Sequence, residues 1–241
     1  MNRYSNILLA LLFPRRCPVC GEPLSFRQRG GMQVHPVCFS RLHRIREPYC
    51  MTCGKELADP LAEYCPDCRR RRHSFICGRG LWRYDSVSAQ AVFALKYKQQ
   101  PEQADFFAEN MSRAFGGWIR SLGIDCIVPV PVSRDRLRQR GYNQAALIAE
   151  GIGQRLGIEV RSDAIRRIRA TDPQKELGRA QRLANLQRAF QADPAIIIGK
   201  ERCLLVDDVY TTGATIECCT RALLQAGAGK VWFLTACIGQ L

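Results

Sequence analysis

The stretch Cys203 to Thr215, CLLVDDVYTTGAT, sets two adjacent carboxylates beside a hydroxyl-rich turn. Asp207 and Asp208 stand where an apolar run ends, and Val209, Tyr210, Thr211, Thr212, Gly213, Ala214 and Thr215 lead from them into helical spacing. A turn that opens a helix leaves backbone N–H groups unpaired beside the positive end of the helix dipole, so it attracts anions, phosphate above all. Gly213 lets a ligand approach the backbone with no Cβ in the way. Two carboxylates next to such a cradle suit a sugar diol or a divalent cation. The set describes a phosphorylated ribose, with its 5′-phosphate in the threonine turn and its 2′- and 3′-hydroxyls on Asp207 and Asp208. An isolated Asp-Asp pair would only cap a helix. Apolar strand, paired acids, Thr-Thr-Gly-x-Thr and helix together are far more specific.

A second set of chemistry-bearing residues lies upstream. Cys17 and Cys20, His35 and Cys38, Cys50 and Cys53, and Cys65 and Cys68 are four pairs, each with two residues between its members. One pair presents two ligands from a tight knuckle, and two pairs complete the tetrahedral shell of a structural zinc. Eleven residues separate Cys53 from Cys65, a self-contained ribbon, whereas the first site depends on His35 standing where a cysteine is expected. Sequential pairing and interleaved pairing both satisfy the spacing. Neither site is catalytic, because four protein ligands leave no position for water or substrate. The paired spacing of seven of the 13 cysteines favours metal over disulfides, and so a reducing cytoplasm.

Several elements must position the acids. Cys203 to Val206 reads as a buried parallel strand and Ile216 to Gln225 as a helix closed by Gly227. Helical spacing through Val92 and Leu95 ends at Lys96 and Lys98, and a second helix from Ala104 to Phe115 is expected to stop before Gly116 and Gly117. Cys126 to Val128 is a strand halted by Pro129, Val130, Pro131, Val132 and Ser133, a restricted loop that admits a cis bond and can aim N–H groups at pyrophosphate. Arg140 and Asn143, at the start of the next helix, are the site candidates, while Arg134, Arg136 and Arg138 read as surface. A polar segment holding Arg167, Arg169, Thr171, Gln174, Leu177, Arg182, Asn185 and Phe190 is long enough to form a flap that closes over a pyrophosphate.

The acid–threonine stretch resembles the phosphoribosyl-pyrophosphate (PRPP) loop of the type I phosphoribosyltransferases. The full order, a cysteine module, Leu-Lys-Tyr, Pro-Val-Pro, Arg-Gly-Tyr-Asn-Gln, Arg-x-Arg-x-Thr-x-x-Gln and Val-Asp-Asp-Val-x-Thr-Thr-Gly, is similar to the ComF family over nearly the whole chain. That resemblance implies an α/β type I phosphoribosyltransferase fold over residues 79–241, a central mostly parallel sheet flanked by helices, with a small zinc-ribbon-like module over 1–78. It implies that Asp207 and Asp208 are catalytic. It implies that Val209 to Thr215, the Val130-Pro131-Val132 loop, Arg140, Asn143 and Lys96 bind PRPP with Mg²⁺. Members of the family, which also resemble GntX, are associated with natural competence and the use of external DNA, so competence proteins are expected partners. Two departures stand out: His35 replaces a cysteine, and Gln99-Gln100 follow Lys98 where the pattern has a glycine. No glutaminase-like stretch is read, so the amidophosphoribosyltransferase label often given to such sequences is not expected to apply.

Composition sets the partner class. The 241 residues carry a formal charge of +14, and residues 1–80 hold 14 Lys and Arg against 6 Asp and Glu. Such a balance suits phosphorylated ligands, nucleic acid or an anionic surface. Arg69, Arg70, Arg71 and Arg72 are either a solvated linker or a patch that tracks the phosphates of single-stranded DNA, with Tyr64 and Phe75 flanking it to stack on bases or to pack the module. Ile7 to Phe13 is apolar but far short of the roughly 20 residues of a membrane span, and no signal peptide is read. An enzyme that transfers phosphoribosyl groups and a binding module that senses PRPP both fit. The acceptor base and the oligomeric state, a dimer included, stay open.

Overall fold

A computed structural model describes residues 15–24, 33–168, 189–197 and 199–239. Its centre is a five-stranded parallel sheet in the order β1-β7-β6-β2-β3, formed by β1 (Gly78–Tyr84), β2 (Cys126–Pro129), β3 (Glu159–Val160), β6 (Arg202–Tyr210) and β7 (Lys230–Gly239). β4 (Ile165–Arg167) and β5 (Phe190–Ala192) form a separate antiparallel pair. The fold class is the one the sequence implies, an α/β sheet flanked by helices with a zinc-ribbon-like module.

Successive side chains of β6 go to opposite faces of the sheet. Leu204 and Val206 join one core with α4 (Ala104–Leu122) and α6 (Gln144–Leu156); Cys203 and Leu205 join the other with α7 (Ala214–Gln225). Burial on both faces explains why the strand reads as an unbroken apolar run rather than an alternating one. α3 (Ser86–Tyr97) starts at a capping box, in which the Asp85 carboxylate accepts from the N–H groups of Val87 and Ser88 while the Ser88 hydroxyl accepts from the Asp85 N–H.

The cysteine module straddles the β1 edge. Cys17, Val19, Leu24, Val34, Cys38 and Leu42 pack into the α4–α6 core with Trp82 and Phe106, whose rings stack at 5.4 Å. Cys50, Cys53, Cys65 and Phe75 pack into the opposite core with Tyr210 and Phe233. Between them the backbone at His43 and Ile45 runs along β1: Arg83 N–H donates to His43 O at 2.8 Å and Ile45 N–H to Leu81 O at 3.0 Å. Close approach requires glycine at Gly78, where a Cβ would lie 2.2 Å from the Phe233 ring. Two short helices, α1 (Pro36–Ser40) and α2 (Pro66–Arg70), carry the second halves of the two knuckle pairs.

Two sequence expectations are corrected. α4 does not stop before Gly116 and Gly117 but runs to Leu122, because a strongly amphipathic helix outweighs the intrinsic cost of two glycines, and Gly116 lies against Leu156. β6 extends past the acids to Tyr210, so Asp207 and Asp208 lie inside the strand and are buried, not near solvent. The arginine-rich stretch after the proline loop is a helix, α5 (Arg134–Arg140), capped by the Ser133 side chain. The proline loop itself contains no cis bond; among described residues the cis peptide is Glu47–Pro48. Of the flap candidates, Arg167 and Phe190 face each other across β4 and β5, while Arg169, Thr171, Gln174, Leu177, Arg182 and Asn185 lie outside the described residues, as does the Ile7 to Phe13 run. No described helix is long and apolar enough to cross a membrane.

Candidate ligand site and metal centres

The acids sit at the carboxyl end of β6, where β2 delivers the proline loop beside them: Val130 N–H donates to Val206 O at 2.9 Å. Asp207 and Asp208 are 9% and 4% exposed. Asp208 forms an ion pair with Lys96, from the last turn of α3, and accepts from Gln144 Nε2 at 3.1 Å. Asp207 Oδ1 accepts from the Asp208 N–H at 2.8 Å. The two carboxyls therefore differ. Burial and the neighbouring Asp208 charge hold Asp207 well above the usual carboxylate range. Burial opposes ionisation of Asp208 too, but Lys96 and Gln144 outweigh it and hold this carboxyl below its ordinary value. Of the two adjacent acids, Asp208 is therefore the more readily ionised.

The remaining PRPP candidates surround this pair. Asn143 caps α6: its Oδ1 accepts from Ala145 N–H at 3.0 Å and its Nδ2 donates to Val130 O at 3.0 Å, tying the proline loop to the helix start. Arg140 donates to Gln144 Oε1 and lies 5.3 Å from the Tyr97 ring centroid. A cleft of about 250 Å³ opens here, lined by Lys96, Tyr97, Gln99, Arg136, Gln139 and Arg140. Its charged lining is entirely cationic, as a pyrophosphate requires. Gln99 adopts φ +51°, the left-handed region that glycine enters freely, at the place where the family pattern has its glycine.

The threonine turn lies just beyond the acids. Thr211 and Thr212 are exposed, Pro131, Val132, Val209, Ala214 and Thr215 are half-buried, and Gly213 precedes α7 at φ +75°. Tyr210 is buried beneath the turn, stacked on Phe233 at 4.8 Å.

The metal candidates gather into two clusters in sequential pairing, Cys17, Cys20, His35 and Cys38 in one and Cys50, Cys53, Cys65 and Cys68 in the other, each with its ligand atoms within 4.8 Å of one another. A tetrahedral zinc places sulfurs about 3.8 Å apart and sulfur about 3.6 Å from imidazole nitrogen. Cys53 Sγ and Cys65 Sγ are 3.7 Å apart, and Cys20 Sγ and His35 Nδ1 are 3.4 Å apart. The donor sets thus fit structural zinc, and His35 completes the first cluster where a cysteine was expected.

A double zinc ribbon family matches residues 8–69. The DNA utilization protein YhgH of Salmonella typhimurium is 31% identical over 229 residues, which span 93% of this chain and 98% of that protein. The chain belongs to the ComF family. Other relatives are competence protein F of Haemophilus influenzae, 27% identical over 91% of this chain and 95% of its own, and competence protein ComFC of Bacillus subtilis, 27% identical over 79% and 77%.

In this ComF-family chain the second zinc ribbon reaches the helix that the threonine turn opens. Glu217, in the first turn of α7, accepts from Ser74 N–H at 3.0 Å, Ser74 Oγ at 2.7 Å and Arg221 Nε at 2.8 Å. Burial would raise its pKa, yet His73, Ser74 and Arg221 bring it down to about 2. A carboxylate depressed below its ordinary 4.5 contributes stability that is fully present above pH 4.5 and declines as pH falls toward 2. Urea melts of wild type and Glu217→Gln should therefore differ most at pH 6 to 8, with the difference shrinking below pH 4.5.

Sequence reasoning missed Gln144, Arg136 and Tyr97. Arg136 was set aside as surface, but it stands one helical turn before Arg140 and lines the same cleft. Gln144 immediately follows the Asn143 cap and is 5% exposed, a buried amide whose partner is an acid 64 residues away. Phe75 is buried against His73 and Phe233, which removes it as a stacking platform beside the arginine run.

Proposed function

We propose that this chain binds PRPP at Asp207, Asp208 and the threonine turn and transfers its phosphoribosyl group to a nitrogenous base, in a cytoplasmic role in the use of DNA like that named for its relatives. The observation that carries the reading is the buried acid pair, with Lys96 on Asp208 and a cationic cleft beside it. The 5′-phosphate sits on the N–H groups of residues 211–215, and the diol donates to the acids. Pyrophosphate draws Lys96 away from Asp208 into the cleft with Arg136 and Arg140, which frees the carboxylate for a ribose hydroxyl. Lys96 thus holds the site in its empty state and the leaving group in its filled one. The C1′–O bond to pyrophosphate breaks, a C1′–N bond forms, and the base nitrogen loses its proton to solvent. Negative charge on Asp208 stabilises the oxocarbenium-like C1′ between the two events. Mg²⁺ carried by the pyrophosphate would sit beside the two carboxylates and supply neutralisation of the leaving group. Incubation with PRPP, Mg²⁺ and a panel of bases tests the reading: pyrophosphate and a nucleotide should appear. Saturable binding without products would sink the transferase reading and leave a PRPP sensor.

A second reading, a non-catalytic PRPP-sensing module that binds single-stranded DNA, is favoured by a basic groove. A cleft of about 640 Å³ is lined by Arg69, Arg70, Arg71 and Arg72 with Tyr64 and Ile76. All four arginines are exposed. Changing the four to alanine should flatten the plot of log affinity against log salt by about three units, at about 0.7 per phosphate contact for single strands. An unchanged slope would make the run a solvated surface.

A further inference from the structure

We propose that His73 and Glu217 are positioning residues through which the second zinc centre holds the phosphate turn in its binding shape. Ribose 5-phosphate as ligand rests on the PRPP reading; the coupling itself does not. The His73 ring spans the gap: Nε2 lies 3.6 Å from Sγ of the zinc ligand Cys68, and Nδ1 lies 3.5 Å from Glu217 Oε2. Partners of this kind orient thiolate ligands and are oriented by them in turn. Glu217 is tied at its other end to the turn, its backbone N–H donating to Gly213 O at 2.8 Å.

A second line of contact runs alongside. Phe75 stacks on His73 at 4.6 Å and meets Phe233 edge-on at 4.9 Å; Phe233 stacks on Tyr210, whose phenol underlies Gly213 so closely that a Cβ there would stand 2.4 Å from the hydroxyl. Both lines begin at the zinc knuckle and end at the same turn.

Charge gives the arrangement its functional weight. A carboxylate in the first turn of α7 repels an incoming phosphate unless it is neutralised and turned aside. Ser74, Arg221 and His73 hold Glu217 toward the ribbon, and His73 is itself anchored at Cys68. When the metal leaves, the ribbon no longer holds, His73 loses its anchor, and the turn loses both lines of contact that support it. Linkage then requires the reverse effect: a phosphorylated ligand must tighten zinc binding, which is expected to appear as slower metal loss.

The test uses the zinc-loaded full chain as wild type, His73→Ala and Glu217→Gln. In wild type, saturating ribose 5-phosphate should slow zinc release to a chelator about tenfold, within the usual span of coupling between sites. In Glu217→Gln the zinc content should equal that of wild type and the ligand effect should vanish. Hydrogen exchange needs no ligand: amides 211–217 should exchange faster in both variants while amides 50–68 do not change in Glu217→Gln. Unaltered exchange at 211–217 in both variants overturns the coupling. So does a zinc release rate indifferent to ribose 5-phosphate when calorimetry shows that it binds. A wild type that binds no ribose 5-phosphate overturns the PRPP reading instead, and the exchange experiment still decides the coupling.

Discussion

Replacing Asp207 and Asp208 together with alanine is expected to abolish PRPP binding, measured by calorimetric titration with Mg²⁺, and to lower stability as well. Their burial is the reason for the second effect, since two carboxyls are removed from a packed strand. The single substitutions should separate the two roles. Burial and the Asp208 charge favour the neutral form of Asp207, so Asp207→Asn, of the same shape and uncharged, should change stability by about 0–1 kcal/mol. Asp208→Asn leaves the Lys96 ammonium without its partner and should cost on the order of 1–3 kcal/mol in a urea melt. Equal PRPP affinity in wild type and the double variant would remove the acids from the site. Equal stability of Asp207→Asn and Asp208→Asn would remove the assignment of charge to Asp208.

Loss of one zinc is expected to unfold more than the cysteine module. Purified chain should hold up to two zinc ions, and Cys65→Ser should lower the count by one. A structural zinc contributes about 10–16 kcal/mol to its site, comparable to the stability of a whole domain. The sequence alone suggests that residues 79–241 would survive that loss. The structure argues otherwise, because Cys50, Cys53, Cys65 and Phe75 share a core with Val128, Leu205, Tyr210 and Phe233. Circular dichroism of Cys65→Ser should show the sheet melting with the ribbon in one transition, well below the wild-type midpoint. A retained upper transition at the wild-type temperature would restore the picture of two independent parts.

What the sequence made legible was local. The strand–acid–turn–helix order around Asp207 appears in the structure because each piece is specified by its neighbours: an apolar β-branched run, small turn residues, then helical spacing. The knuckle pairs are legible for the same reason, since two-residue spacing brings both ligands to one turn. Which knuckles pair, by contrast, is a long-range property. So is the protonation of the acids, fixed by Lys96 and Gln144, which lie 112 and 64 residues before Asp208. The glycine pair in α4 misled because a local propensity of about 1 kcal/mol per glycine yields to the burial of Phe106, Phe107, Met111 and Ile119 on one helix face. The arginines of α5 misled because a surface helix can still turn one face to a cleft.

The strip at His43 to Ile45 beside β1 bears on assembly. A sheet commonly recruits a second copy by adding strand to strand at an open edge, since unpaired N–H and C=O groups there are ready donors and acceptors. Here the β1 edge already has its hydrogen bonds taken by the chain's own residues at Leu81 and Arg83. At the opposite side β3 offers two residues, with Arg161 directly after it engaged by Glu159 and Glu201. Growth of the sheet into a neighbouring copy is blocked at the first edge and has little backbone to use at the second. A dimer that extends the central sheet by strand addition at β1 is therefore disfavoured.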